Sequence, residues 1–161
     1  MNRKTSTIGK YNYSVDDYIM KENLSTETMD KFKNTDILIL PYQNDDDFYF
    51  AVESINFWKY CRQKNETYSF DILSDNVKVR SINSFDIWMP IIFISSNILV
   101  PIAVNLISDY ITDKRKGREN EKCQVDIAIK IQRDNEVKDI HYKGDADKID
   151  KFFEKIDITK L

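Results

Sequence analysis

The sequence predicts an α/β fold in the broad α+β sense. Its parts are a βαβ-like N-terminal portion with an added strand, a central pair of apolar helices and a C-terminal ββα unit. Three observations carry this. Cys123, Val125, Ile127, Ile129 and Ile131 alternate with Gln124, Asp126, Ala128, Lys130 and Gln132, the period of two of a strand with one face on a core. Ile149, Phe152, Phe153 and Ile156 recur at helical spacing. Between Asp86 and Asp109, the stretch Ile87–Ser108 contains no charged residue, and Lys114, Arg115, Lys116 and Arg118 follow it.

The elements follow in order. Residues 1–35 form a polar N-terminal segment with short helices. Ser14 is placed to cap one running to Lys21, and Ser25 another running to Phe32, because an N-cap oxygen accepts an otherwise unpartnered amide. Residues 36–83 form the βαβ-like part. Asp36–Pro41 reads as a strand buried on both faces, since its apolar run is continuous. After Asp45, Asp46 and Asp47 comes a helix whose stripe is Phe48, Val52, Ile55, Trp58 and Arg62, then a strand at Tyr68–Leu73. Ser74–Asn76 turns the chain into a further strand at Val77–Ile82.

Residues 84–113 are the apolar segment. As one helix, 22 residues would reach about 33 Å, enough to cross a bilayer, with the basic run on the cytoplasmic side. Pro90, Pro101 and the Ser95–Asn97 triplet favour a break into helices near 84–95 and 97–113, each of a length suited to a protein core. Asn97, Pro101, Asn105, Ser108 and Thr112 give the second helix a polar stripe. Burial in protein is the favoured reading and a membrane span at 87–111 the alternative. Residues 120–161 are the ββα unit: the alternating strand, a turn at Asp134 and Asn135, a return strand at Val137–Tyr142 and a closing helix.

Charge and composition narrow the function classes. The formal charge is −3 and 32% of residues are charged, a balance that lacks the basic excess of a dedicated nucleic-acid binder. Cys61 and Cys123 lie far apart and form no CxxC pair; without a secretory h-region they are expected to be reduced thiols in a cytoplasmic protein. The loop before the first long helix has no glycine, which argues against a phosphate cradle.

Two sets of residues are candidate sites. Asp45, Asp46 and Asp47, with Asp71 or Asp75, offer oxygen ligands that suit Mg²⁺ in a hydrolase. Aspartates before a helix more simply cap amides and complement its dipole, so the expectation is no metal and no cofactor. His141, alternating with Ile140 and Tyr142, is expected to face solvent. The second set is Ile98, Ile102, Leu106 and Ile111, read as a helical face for a protein partner or a second copy.

Residues 97–156 resemble, in the order of their elements, the effector-associated constant component proteins of bacterial conflict systems. The resemblance rests on the apolar helix Ile98–Ile111, the basic Lys114–Lys116, the strands Val125–Ile131 and Ile140–Tyr142, and the helix Ile149–Ile156. It implies a non-catalytic accessory subunit that partners an effector in antiviral defence and acts by contact, and it transfers no catalytic residue.

Overall fold

The computed structural model describes residues 13–45, 47–81 and 86–155. A five-stranded mixed sheet runs through it in the order β4-β1-β6-β7-β8, made of β1 (Ile37–Leu40), β4 (Phe70–Ile72), β6 (Ile87–Ile94), β7 (Gln124–Arg133) and β8 (Glu136–Asp145). β1 is parallel to β4 and antiparallel to β6; β6 is parallel to β7, which pairs antiparallel with β8. A smaller sheet, in the order β2-β3-β5, joins β2 (Tyr42–Asn44), β3 (Asp47–Ala51) and β5 (Val79–Arg80). The α/β class predicted from the sequence is the class observed.

Two helical layers cover the large sheet. Ile37, Ile39, Ile92, Ile94, Val125, Ile127, Ile129 and Ile131 face α3 (Val52–Lys64), α4 (Val100–Lys114) and α5 (Ile149–Glu154). Leu38, Leu40, Ile91, Phe93 and Ala128 pack in a second core with α1 (Val15–Glu22), α2 (Thr26–Asn34) and the small sheet. The predicted caps hold: Ser14 Oγ accepts from the Asp17 amide at 3.0 Å, and Ser25 Oγ from the Thr28 amide at 3.2 Å.

The largest departure from the sequence reading is at residues 84–95. No helix forms over the described part of that segment; Ile87–Ile94 is a strand, buried along its whole length between β1 and β7. Its residues are mostly β-branched or aromatic, and a strand buried on both faces loses the alternation that would identify it. Proline is tolerated at this central position because the register between Trp88 and Ile91 carries one extra residue, a bulge containing Pro90. The bulge also reverses the alternation, so Ile87 and Met89 share a core with Ile92 and Ile94. The Tyr42 hydroxyl donates to the Met89 carbonyl at that point. α4 is then the crossover that parallel β6 and β7 require. The expected apolar helix pair is thus a strand followed by one helix. The continuous span at 87–111 is not formed, and among the described residues no helix is long and apolar enough to cross a membrane.

Other expectations shift as well. Asp47–Ala51 is a strand, so the helix begins at Val52 and Phe48 lies outside it. Its buried face is Ser54, Phe57 and Cys61, while Val52 is exposed and Ile55 and Trp58 are half-buried. Trp58 lies over the end of the sheet, where its Nε1 donates to the Phe70 carbonyl at 3.0 Å and the Arg62 guanidinium sits 5.1 Å from its ring. The added strand is shorter than expected and joins β3 rather than the large sheet; Ile82 lies outside the described residues. β7 is buried on both faces instead of one. β8 and α5 complete the ββα unit, with Asp134 in the left-handed region at φ 55 in the two-residue turn. Ile156 falls outside the described residues. Because β6 comes from the central segment and lies between strands of the N- and C-terminal parts, the segments at 36–83, 84–113 and 120–161 share one sheet.

Candidate functional site

The face of β7 expected to meet solvent carries two buried charges. Asp126 and Lys130 point into the layer beneath α1, with side chains 8% and 4% exposed. A buried charge is costly unless it is paired, and β8 supplies both partners. Asp139 lies directly opposite Lys130 in the register, and its Oδ1 accepts from the ammonium at 2.9 Å. His141 lies opposite the small Ala128, which leaves its ring room to reach along the strand to Asp126, Nε2 to Oδ1 2.6 Å. The predicted solvent-facing position of His141 is therefore wrong; its side chain is 28% exposed and held by a carboxylate.

Tyrosines close this layer. The Tyr13 hydroxyl donates to the Pro41 carbonyl and the Tyr18 hydroxyl to the Leu73 carbonyl at 2.6 Å. The Lys130 ammonium lies 5.7 Å from the Tyr13 ring centre, a cation–π contact. Burial drives the Tyr13, Tyr18 and Tyr42 phenols well above their usual range, and the charge of Asp126 adds to the effect on Tyr42. Beside the layer, Ser14, Val15, Phe32, Phe93, Lys130 and Val137 contribute to a cleft of about 400 Å³. A His–Asp pair can orient a base, but acyl transfer also needs an activated nucleophile. Neither cysteine has that character. Burial pushes the Cys61 thiol up to about 12 and also raises that of Cys123.

The acidic residues singled out by sequence do not come together. Asp45 sits in the left-handed region at φ 57 in the β2–β3 turn rather than at a helix N-terminus. Asp47 is bound by Lys78 at 2.8 Å and Arg80 at 3.2 Å, and the hydrogen bond from Lys78 is the main cause of its lowered pKa. Asp71 faces Lys31 at 3.7 Å, and Asp75 accepts from the Ser25 amide and hydroxyl, each at 2.8 Å. Asp46 lies outside the described residues. Among the described residues no group of three or more His, Cys, Asp or Glu side chains could hold a metal ion.

The basic run is engaged by its own chain. Lys114 reaches Glu53 at 3.4 Å, Lys116 reaches Asp113 at 3.2 Å and Arg118 reaches Glu121 at 2.9 Å. Arg115, its side chain 12% exposed, joins Asp147 to the Glu119 and Glu121 carbonyls and so ties the loop to the start of α5.

The four residues read as a partner face do not share one. Leu106 and Ile111 pack into the core, Ile102 is half-buried and Ile98, in the 3-10 turn Asn97–Leu99 that leads into α4, is 77% exposed. A helix with apolar residues around most of its circumference presents one arc to the sheet, and sequence alone did not say which. Beginning two residues after Ile98 in the chain, α4 and α5 enclose a groove of about 480 Å³, with Val100, Pro101, Val104 and Phe153 as apolar lining and Asp150 and Glu154 as an acidic lip. Ser108 Oγ donates to Asp150 at 2.8 Å across it.

Comparison with protein-family models, curated proteins and solved structures returns no match.

Proposed function

We propose that this chain is a non-catalytic accessory subunit that works in the cytoplasm by docking a protein partner in the groove between α4 and α5. The observation that carries this reading is a groove with apolar walls and an acidic lip, whose lining begins two residues along the chain from the exposed Ile98. A surface of that kind suits an amphipathic segment with an apolar stripe and Lys or Arg on its flank, since apolar burial provides affinity and opposite charge sets register. The charged pairs elsewhere fit the same reading: Asp126, Lys130, Asp47 and Asp75 each have a partner within the fold. The resemblance of residues 97–156 to effector-associated constant components suggests an effector of a bacterial conflict system as the partner. The order of elements on which it rests, helix, strand, strand and helix, corresponds to α4, β7, β8 and α5.

The test is co-purification at native expression level from the source cells. A partner recovered in near-equal amount with the wild-type chain, and lost with Val104→Asp, is expected. Recovery of the chain alone would reject the reading.

A further inference from the structure

Strand register builds the cleft beside the tyrosine layer. Phe93 in β6, Lys130 in β7 and Asp139 in β8 are direct neighbours across three strands, and Gln132 pairs with Val137 one step along the same face. α1 and α2 bring Val15 and Phe32 to that face, leaving the cleft of about 400 Å³. The Phe32 and Phe93 rings meet there with centres 5.5 Å apart, and Val137 remains 40% exposed. An apolar wall thus flanks a single ammonium.

That ammonium has donors to spare. A lysine carries three of them, and among the described residues Lys130 Nζ has one hydrogen-bond acceptor, Asp139 Oδ1 at 2.9 Å, besides its contact with the Tyr13 ring. The acceptor belongs to a side chain 66% exposed, whereas the lysine side chain is 4% exposed. Asp139 is therefore free to turn into water if another carboxylate takes its place on the ammonium. Leaving the buried cation bare is the costly alternative.

We propose that this cleft binds a small monocarboxylate with an apolar body. Its carboxylate exchanges with that of Asp139 on Lys130, and its body lies against Val15, Phe32, Phe93 and Val137. Ligand sites of this kind combine an apolar lining with a few fixed polar anchors. One buried cation balances one negative charge, and the exposed Asp16 and Asp134 at the same cleft repel dianions such as phosphate. The rim carboxylates are screened by water, so the desolvated ammonium sets the sign of the ligand. The cleft shares no residue with the α4–α5 groove and lies on the other face of the sheet, so the two readings stand or fall separately.

Isothermal titration calorimetry of the full chain with octanoate as the probe tests this. The wild type is expected to bind it with a Kd of about 1 mM or tighter, and to bind octylamine, the same tail on a cation, at least roughly tenfold more weakly. Lys130→Met removes the ammonium and is expected to weaken octanoate binding by roughly tenfold or more. Asp139→Ala removes the competing carboxylate and should bind octanoate roughly tenfold more tightly than the wild type. Octanoate at about 10 mM should then raise the melting temperature of Asp139→Ala by roughly 5 °C or more and leave that of Lys130→Met unchanged. Circular dichroism verifies the fold of each variant; if Lys130→Met is unfolded, Asp139→Ala decides. Wild-type and Asp139→Ala chains that take up no octanoate at about 10 mM overturn the proposal. So does octylamine binding as tightly as octanoate, or a folded Lys130→Met that binds octanoate like the wild type.

Discussion

Lys130 Nζ and Asp139 Oδ1 are 2.9 Å apart across β7 and β8, one side chain 4% exposed and the other 66%. The ammonium is fixed inside the protein while its counter-charge reaches in from solvent. Removing the two halves therefore has unequal consequences. Asp139→Ala leaves a buried cation without its carboxylate and is expected to cost about 1–3 kcal/mol, the exposed side of the pair being screened by water. Lys130→Met removes the charge, keeps most of the volume and is expected to lie within about 1 kcal/mol of wild type. Urea unfolding of both variants checks the order; equal losses would contradict it.

Stability should fall at alkaline pH. Burial raises the phenol pKa values of Tyr13, Tyr18, Tyr42 and Tyr110 above the ordinary value of 10.0. Below that value the phenols are protonated in folded and unfolded chains alike. Above it the unfolded chain releases these protons and the folded chain retains them, so rising pH favours unfolding. Tyrosinate absorbance and circular dichroism should then change together above about pH 10. Asp47, Asp75 and Asp113 shift the other way through hydrogen bonds, led by Lys78, Thr28 and Lys116 respectively. Their contribution is present above the usual carboxylate value of 3.8 and is lost as pH falls through their lower folded values.

The central strand and the exposed 3-10 turn before α4 should respond differently to truncation. Ile92 is 0% exposed in the middle of the sheet, and Ile92→Ala is expected to cost about 2–5 kcal/mol. Ile98→Ala, at a residue 77% exposed, should stay within about 0.5 kcal/mol. Chemical denaturation of the two variants measures this contrast. A large loss at Ile98 would contradict its place outside the core.

Local signals in the sequence located what local physics controls. Ser14 and Ser25 as caps and the turn at Asp134 and Asn135 each reflect contacts made within a few residues. What was missed depends on distant chain. Ile87–Ile94 has the apolar content of a buried helix, and only its place between β1 and β7, with Pro90 in a bulge, makes it a strand. Polar Asp126 and Lys130 suggested a solvent face, because nothing near them in sequence announces that α1 and Tyr13 cover it. A signal was present: Asp126 and Lys130 in β7, with Asp139 and His141 in β8, fall at neighbouring positions once the hairpin register is drawn from its turn. Ile98, Ile102, Leu106 and Ile111 differ in burial for the same reason, since the arc of α4 that meets the sheet is fixed by the strands beneath it.

The most direct measurement of the proposed function is photocrosslinking from position 98. With Ile98 replaced by benzoylphenylalanine in chain expressed in its source cells, one predominant adduct to a different protein is expected, and Val104→Asp in the groove should abolish it while the fold persists by circular dichroism. No adduct, an adduct only to a second copy of this chain, or an adduct unchanged by Val104→Asp would contradict docking at the α4–α5 groove.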